Sequence, residues 1–117
     1  NLNELMKQKG IINDDFLDKV YRRENISSTA IGNYVAIPHA INKDTKESVA
    51  AVAILKKPIT WYGDKVQLVF LLNIDSSSTE NVKDIFESFY ELVSSSRRIN
   101  TLIKSENYYE FIKNISL

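Results

Sequence analysis

Two runs, VAAVAIL over residues 49–55 and VQLVFLLNI over residues 66–74, are apolar at nearly every position. Successive strand side chains point to opposite faces, so runs of this kind read as central strands covered by helices on both sides. That requirement limits the chain to layered α/β arrangements more sharply than any other feature. The chain has 117 residues, 44% of them hydrophobic and 26% charged, which is enough for one domain to bury a core without staples. There is no cysteine, so disulfides and thiolate metal sites are excluded. Fifteen basic and fifteen acidic side chains cancel, so no overall field draws the molecule to nucleic acid or to an anionic membrane. Neither apolar run is long enough to cross a bilayer and no signal segment opens the chain, which makes the cytoplasm the expected compartment.

The remaining pattern is consistent with two helical layers. Leu2, Leu5 and Met6 before Gly10 read as a short helix. Asn13 or Asp14 can cap a second one, in which Phe16, Leu17, Val20 and Tyr21 share a face and Arg22 and Arg23 meet the dipole in the last turn. From residue 26 to residue 41 the residues turn β-branched and small, Gly32 marks a turn, and Pro38 forces its predecessor to be extended. Lys56-Lys57-Pro58 and Tyr62-Gly63-Asp64 read as turns around a short edge piece, Ile59-Thr60-Trp61. Ser77 with Glu80 resembles a capping box for a helix striped by Val82, Ile85, Phe86, Phe89 and Val93. Ser94-Ser95-Ser96 interrupts it. Two short amphipathic helices follow, around Ile99, Leu102 and Ile103 and around Tyr109, Phe111, Ile112 and Ile115. The expected architecture is one α/β domain with its sheet between helical layers. The start on Asn1, within a helical pattern, makes residues 1–117 read as a domain taken from a longer chain.

Few catalytic chemistries remain open. There is one histidine, so neither a Cys/His pair nor a histidine-built metal site is available, and the three glycines are too dispersed for a phosphate loop. Asp14-Asp15 serves a helix start, and the pairs Lys56-Lys57 and Arg97-Arg98 are too small for a nucleic-acid footprint. No cofactor or metal is called for. What remains is His39 after its rigid proline, Arg23, and the hydroxyls of Ser27, Ser28 and Thr29. An imidazole, neutral for much of the time near pH 7, can attack phosphorus without a separate base, and its phosphoryl oxygens then need cations and donors. Each residue also has a plainer reading: a packed or surface histidine, a cation at a helix end, hydroxyls in a turn. Trp61, Phe70, Phe86 and Phe89 read as core, and Tyr108-Tyr109 as packing for the last helix.

The run RENISSTAIGNYVAIPH, residues 23–39, resembles the active-site signature of the IIA component of the sugar phosphotransferase system (PTS), fructose/mannitol type (EIIA type 2). Arg-Glu, Ser-Thr, the glycine turn and apolar-Pro-His are present in order, and the likeness continues through KKPITWYGDKVQLVFLLNI into the following helix. The resemblance implies a mixed sheet sandwiched between helices, with a further N-terminal strand missing ahead of this start and a sheet edge left open. It implies that His39 takes a phosphoryl group from the phosphocarrier HPr through Nε2. Arg23 would steady the phosphoryl oxygens, and Ser28 and Thr29 would line the site. Asn81 stands where several transport members carry a second histidine; an amide can donate to phosphate but cannot titrate near neutrality.

Three functions compete on this basis. The favoured one is a regulatory module of a PTS-controlled transcriptional regulator or antiterminator, in which phosphorylation of His39 reports sugar supply. The second is a transport phosphocarrier that passes phosphate to a IIB domain. The third is an interaction module of the same fold that is never phosphorylated. In all three, direct nucleic-acid binding and membrane insertion by this domain are not expected.

Overall fold

The structure, a computed structural model, describes residues 2, 4, 15–42, 48–77 and 79–115. Helix α1 spans Phe16–Ile26, and strands β1 (Ala30–Gly32), β2 (Val35–Ala36) and β3 (His39–Asn42) follow it. The long strands β4 (Val49–Trp61) and β5 (Asp64–Asp75) form a hairpin, and α2 (Thr79–Val93), α3 (Ser96–Ile103) and α4 (Tyr108–Ile115) close the chain.

Strand β5 is the axis of the sheet. Val35 and Ala36 of β2 pair parallel with Leu68 and Val69, and β3 pairs parallel with residues 72–75. β2 and β3 are thus one line of chain along one edge of β5, interrupted at Ile37-Pro38. β4 pairs antiparallel with the opposite edge, and β1 folds back on β2, which makes the sheet mixed. Leu68, Phe70, Leu72 and Ile74 point to one face, where they meet Leu92, Val93, Ile99, Leu102 and Phe111 of α2, α3 and α4. Leu71 points to the other, with Ala40, Ala51, Phe16 and Val20; Leu2 packs there as well. The expected sheet between two helical layers is therefore present, and no helix among the described residues is long and apolar enough to cross a membrane.

Several expectations need correction. Of the two apolar runs only residues 66–74 are central; among the described residues β4 pairs with β5 alone and lies at an edge. Apolarity on both faces marks cover on both sides, which the helices also extend to the inner half of an edge strand. Lys56-Lys57-Pro58 is not a turn: β4 runs through it, with its register against β5 shifting between Ile54 and Ile59. An exposed bulge with two lysines and a proline is a common defence of a sheet edge. The hairpin turn is Tyr62-Gly63, both at positive φ, between paired Trp61 and Asp64. The turn after β1 uses Asn33 and Tyr34, with φ of 47° and 68°, while Gly32 ends the strand. Asn33 secures it, its amide donating to the Val93 carbonyl and its oxygen accepting from Ser96 at 3.1 Å.

At the helix ends, Asp15 takes the N-cap position of α1 without a side-chain cap and pairs instead with Lys19 at 3.6 Å. Ser77 donates to Asp75, and Ser95 caps α3 by accepting from the Arg98 amide. The expected helix through Leu5, Met6 and Gly10 and the cap at Asn13 or Asp14 lie outside the described residues, and of Glu80 the structure describes the helical backbone alone. Tyr108 and Tyr109 are exposed and meet only edge to face, whereas Phe111 carries the packing of α4.

Phe70, 2% exposed and in ring contact with Phe89 and Phe111, is the central side chain of the larger core. Phe70→Ala is expected to cost about 3–5 kcal/mol in urea unfolding, and Tyr109→Ala to stay within about 0.5 kcal/mol.

Candidate functional site

Pro38 breaks the β2–β3 line and donates no backbone hydrogen bond, but its carbonyl accepts from Leu72 at 2.9 Å, so the kink is held by β5. His39 therefore starts β3 in a fixed place. It is 4% exposed, and the edge of its ring meets Phe86 of α2, with centroids 5.1 Å apart. Nδ1 lies 2.8 Å from the Ile37 carbonyl oxygen. A carbonyl only accepts, so Nδ1 carries the proton, and in the neutral ring Nε2 keeps its lone pair. Burial lowers the pKa of His39 from its usual 6.5; the Ile37 bond raises it, the charge of Arg23 lowers it and that of Glu24 raises it. The net direction is down, so the ring rests neutral with one bare nitrogen.

An open cavity of about 360 Å³ adjoins His39 and is lined by Arg23, Ser28, Thr29, Phe86 and Tyr90, with Ile31, Ile37 and Ile41. Four of the five site residues expected from the sequence meet here. Arg23, in the last turn of α1, gives one N–H to the Ser27 carbonyl at 2.7 Å. A guanidinium has five N–H groups, so this bond orients the fork without exhausting it. Ser28 Oγ accepts from the Ala30 amide at 3.1 Å, which leaves its own proton to donate. Thr29 differs: it is buried and its hydroxyl donates to Glu24, so at the cavity it presents lone pairs. Asn81 is exposed and lies outside the cavity lining.

Three contributors were not assigned to a site from the sequence. Glu24 is 5% exposed and accepts from the Thr29 amide at 3.1 Å, from the Thr29 hydroxyl, and from Trp61 Nε1 at 3.2 Å. The signal available was its place in the Arg-Glu pair beside the apolar face of α1. Phe86 and Tyr90 stand four residues apart on α2 and form one wall; the stripe that includes Phe86 was legible, but its meeting with the histidine was not.

The chain is similar to proteins of known families. The family described as phosphoenolpyruvate-dependent sugar phosphotransferase system, EIIA 2, matches residues 1–117. Transcriptional regulator ManR of Bacillus subtilis (strain 168) is 33% identical over 108 residues, covering 92% of this chain; the chain spans only 17% of that regulator. The mannitol-specific phosphotransferase enzyme IIA component of Halalkalibacterium halodurans is 30% identical over 112 residues, covering 92% of this chain and 74% of that protein. Among solved structures, the Escherichia coli IIA mannitol enzyme in complex with phosphorylated IIB superposes with a TM-score of 0.78 over 97% of this chain and 81% of that one, at 13% identity.

The lowered pKa of His39 has a consequence for stability. As pH falls through 6.5 the unfolded chain takes up the proton before the folded one, so the stability present above that pH is lost on acidification. Urea unfolding at about pH 7.5 and about pH 5.5 is expected to show a larger loss for the wild type than for His39→Gln; equal losses would mean that the ring is not buried neutral.

Proposed function

The chain belongs to the EIIA 2 family of the phosphoenolpyruvate-dependent sugar phosphotransferase system, and from that premise we propose that it accepts a phosphoryl group from phosphorylated HPr on Nε2 of His39. The observation that carries this reading is the bare Nε2 of a neutral histidine whose Nδ1–H is tied to the Ile37 carbonyl beside a cavity rimmed by Arg23. In the transfer the Nε2 lone pair forms a bond to phosphorus while the bond to the donor's nitrogen breaks, and the donor keeps that electron pair. No proton has to leave His39 first, because Nε2 holds none. Transfer of this kind depends on positioning and charge stabilisation. Arg23 and Ser28 supply donors to the phosphoryl oxygens, and the charge of Arg23 strengthens its own.

The role favoured for the parent protein is regulatory: a module of a PTS-controlled transcriptional regulator that reports sugar supply through the phosphorylation state of His39. Identity to ManR across nearly the whole chain supports this. Asn81 supports it too, since an amide at that position offers no titratable group for onward transfer. A transport phosphocarrier is the second reading. The mannitol-specific relative, most of which this chain covers, favours it, and a IIB domain would then be the next acceptor. In either role the domain is read as cytoplasmic, where a phosphorylated carrier would meet it.

Incubation with phosphoenolpyruvate, enzyme I and HPr is expected to add one acid-labile phosphoryl group by intact mass, absent in His39→Ala. Arg23→Ala is expected to slow uptake by at least about tenfold while folding normally. An unlabelled wild type beside fully phosphorylated HPr would overturn the proposal.

A further inference from the structure

Glu24 is a carboxylate in the interior, and an ionised group there is costly unless donors surround it. Donors do surround it. One oxygen accepts the Thr29 amide at 3.1 Å and Trp61 Nε1 at 3.2 Å, and the other accepts the Thr29 hydroxyl. A carboxylate is acceptor-only, so it holds all three at once. These bonds join the end of α1 to the start of β1 and to the tip of the β4–β5 hairpin. Beyond Thr29 the connection continues through the backbone. The Thr29 carbonyl accepts from the Ile37 amide at 3.1 Å, and the Ile37 carbonyl in turn accepts Nδ1–H of His39 at 2.8 Å.

Resting on the reading of His39 as the acceptor, we infer that Glu24 is a positioning residue whose carboxylate, through Thr29 and the two backbone hydrogen bonds beyond it, sets the imidazole tautomer that leaves Nε2 bare. The carboxylate fixes Thr29, Thr29 fixes the peptide of Ile37, and that peptide decides which ring nitrogen carries the proton. Glu24 touches neither the phosphoryl group nor the reacting nitrogen. It acts through geometry, and its negative charge is a secondary feature.

Two variants separate geometry from charge. Glu24→Gln keeps the reach: its amide oxygen takes the two N–H donors, and its NH₂ donates to a Thr29 hydroxyl that turns from donor to acceptor. Glu24→Asp keeps the charge but is shorter by about 1.5 Å, too short to hold Thr29 and Trp61 together. The chain has a single histidine, so a long-range ¹H–¹⁵N spectrum of the unphosphorylated protein shows one imidazole and reads its tautomer directly. The wild type and Glu24→Gln are expected to show Nδ1–H with Nε2 bare, and to take up phosphate from phospho-HPr within about threefold of each other. Glu24→Asp is expected to gain Nε2–H tautomer and to slow uptake about tenfold. Should Glu24→Asp fail to fold, Trp61→Phe, which removes one of the three donors, is expected to shift the ring signals in the same direction.

A folded Glu24→Asp with wild-type ring signals, unmoved signals in Trp61→Phe, or a Glu24→Gln that shifts the tautomer as far as Glu24→Asp would each overturn the inference. The spectrum needs no phosphoryl donor. A wild type that never takes up phosphate would therefore sink the proposed function, while this inference would be decided by the ring signals alone.

Discussion

The hydrogen bond from Nδ1 of His39 to the carbonyl of Ile37 joins the fold of this chain to its chemistry. It spans only two residues, so it forms only if the chain kinks between them. Pro38 makes that kink obligatory and β5 holds it, by accepting β2 on one side of the break and β3 on the other. The position of the ring thus follows from the best-buried strand of the molecule. A reactive nitrogen anchored in this way has little freedom to turn, which is what a transfer governed by positioning requires.

Electrostatics around the ring is a balance of opposed effects. Burial and Arg23 keep His39 neutral, while the Ile37 bond and Glu24 work against them. If the guanidinium were absent, the residues lining the cavity would include no cation to meet an incoming phosphoryl group. If the carboxylate were absent, the loop carrying Ser28 and Thr29 would lose two hydrogen bonds at its base and Trp61 would lose a third. Arg23 and Glu24 are adjacent in sequence but one turns to the rim and the other inward, so a single helix end supplies a cation to the cavity and an anchor beneath it.

Local features of the site were legible in the sequence because they depend on neighbours in the chain. Proline before histidine, a cation in a last helical turn and hydroxyls just after it each have a physical meaning within a few residues. The meeting of Arg23, Ser28, Thr29 and His39 followed from one continuous run. Trp61 lies 37 residues from Glu24, and Phe86 comes from a helix beyond the whole hairpin, so neither contact leaves a trace in periodicity. The edge position of β4 was hidden for a related reason: cover on both faces and pairing on both edges are different properties, and only the first shows in side-chain pattern. The exposed tyrosines of α4 show the reverse error, since aromatic bulk at helical spacing does not say which side faces the core.

The role of His39 is tested at the reacting atom by the position of the phosphoryl group on the ring, read by phosphorus–nitrogen correlation in the ¹⁵N-labelled, phosphorylated domain. A phosphoramidate at Nε2 of His39 with Nδ1 still protonated is expected. A phosphoryl group at Nδ1, or on a residue other than histidine, would contradict it.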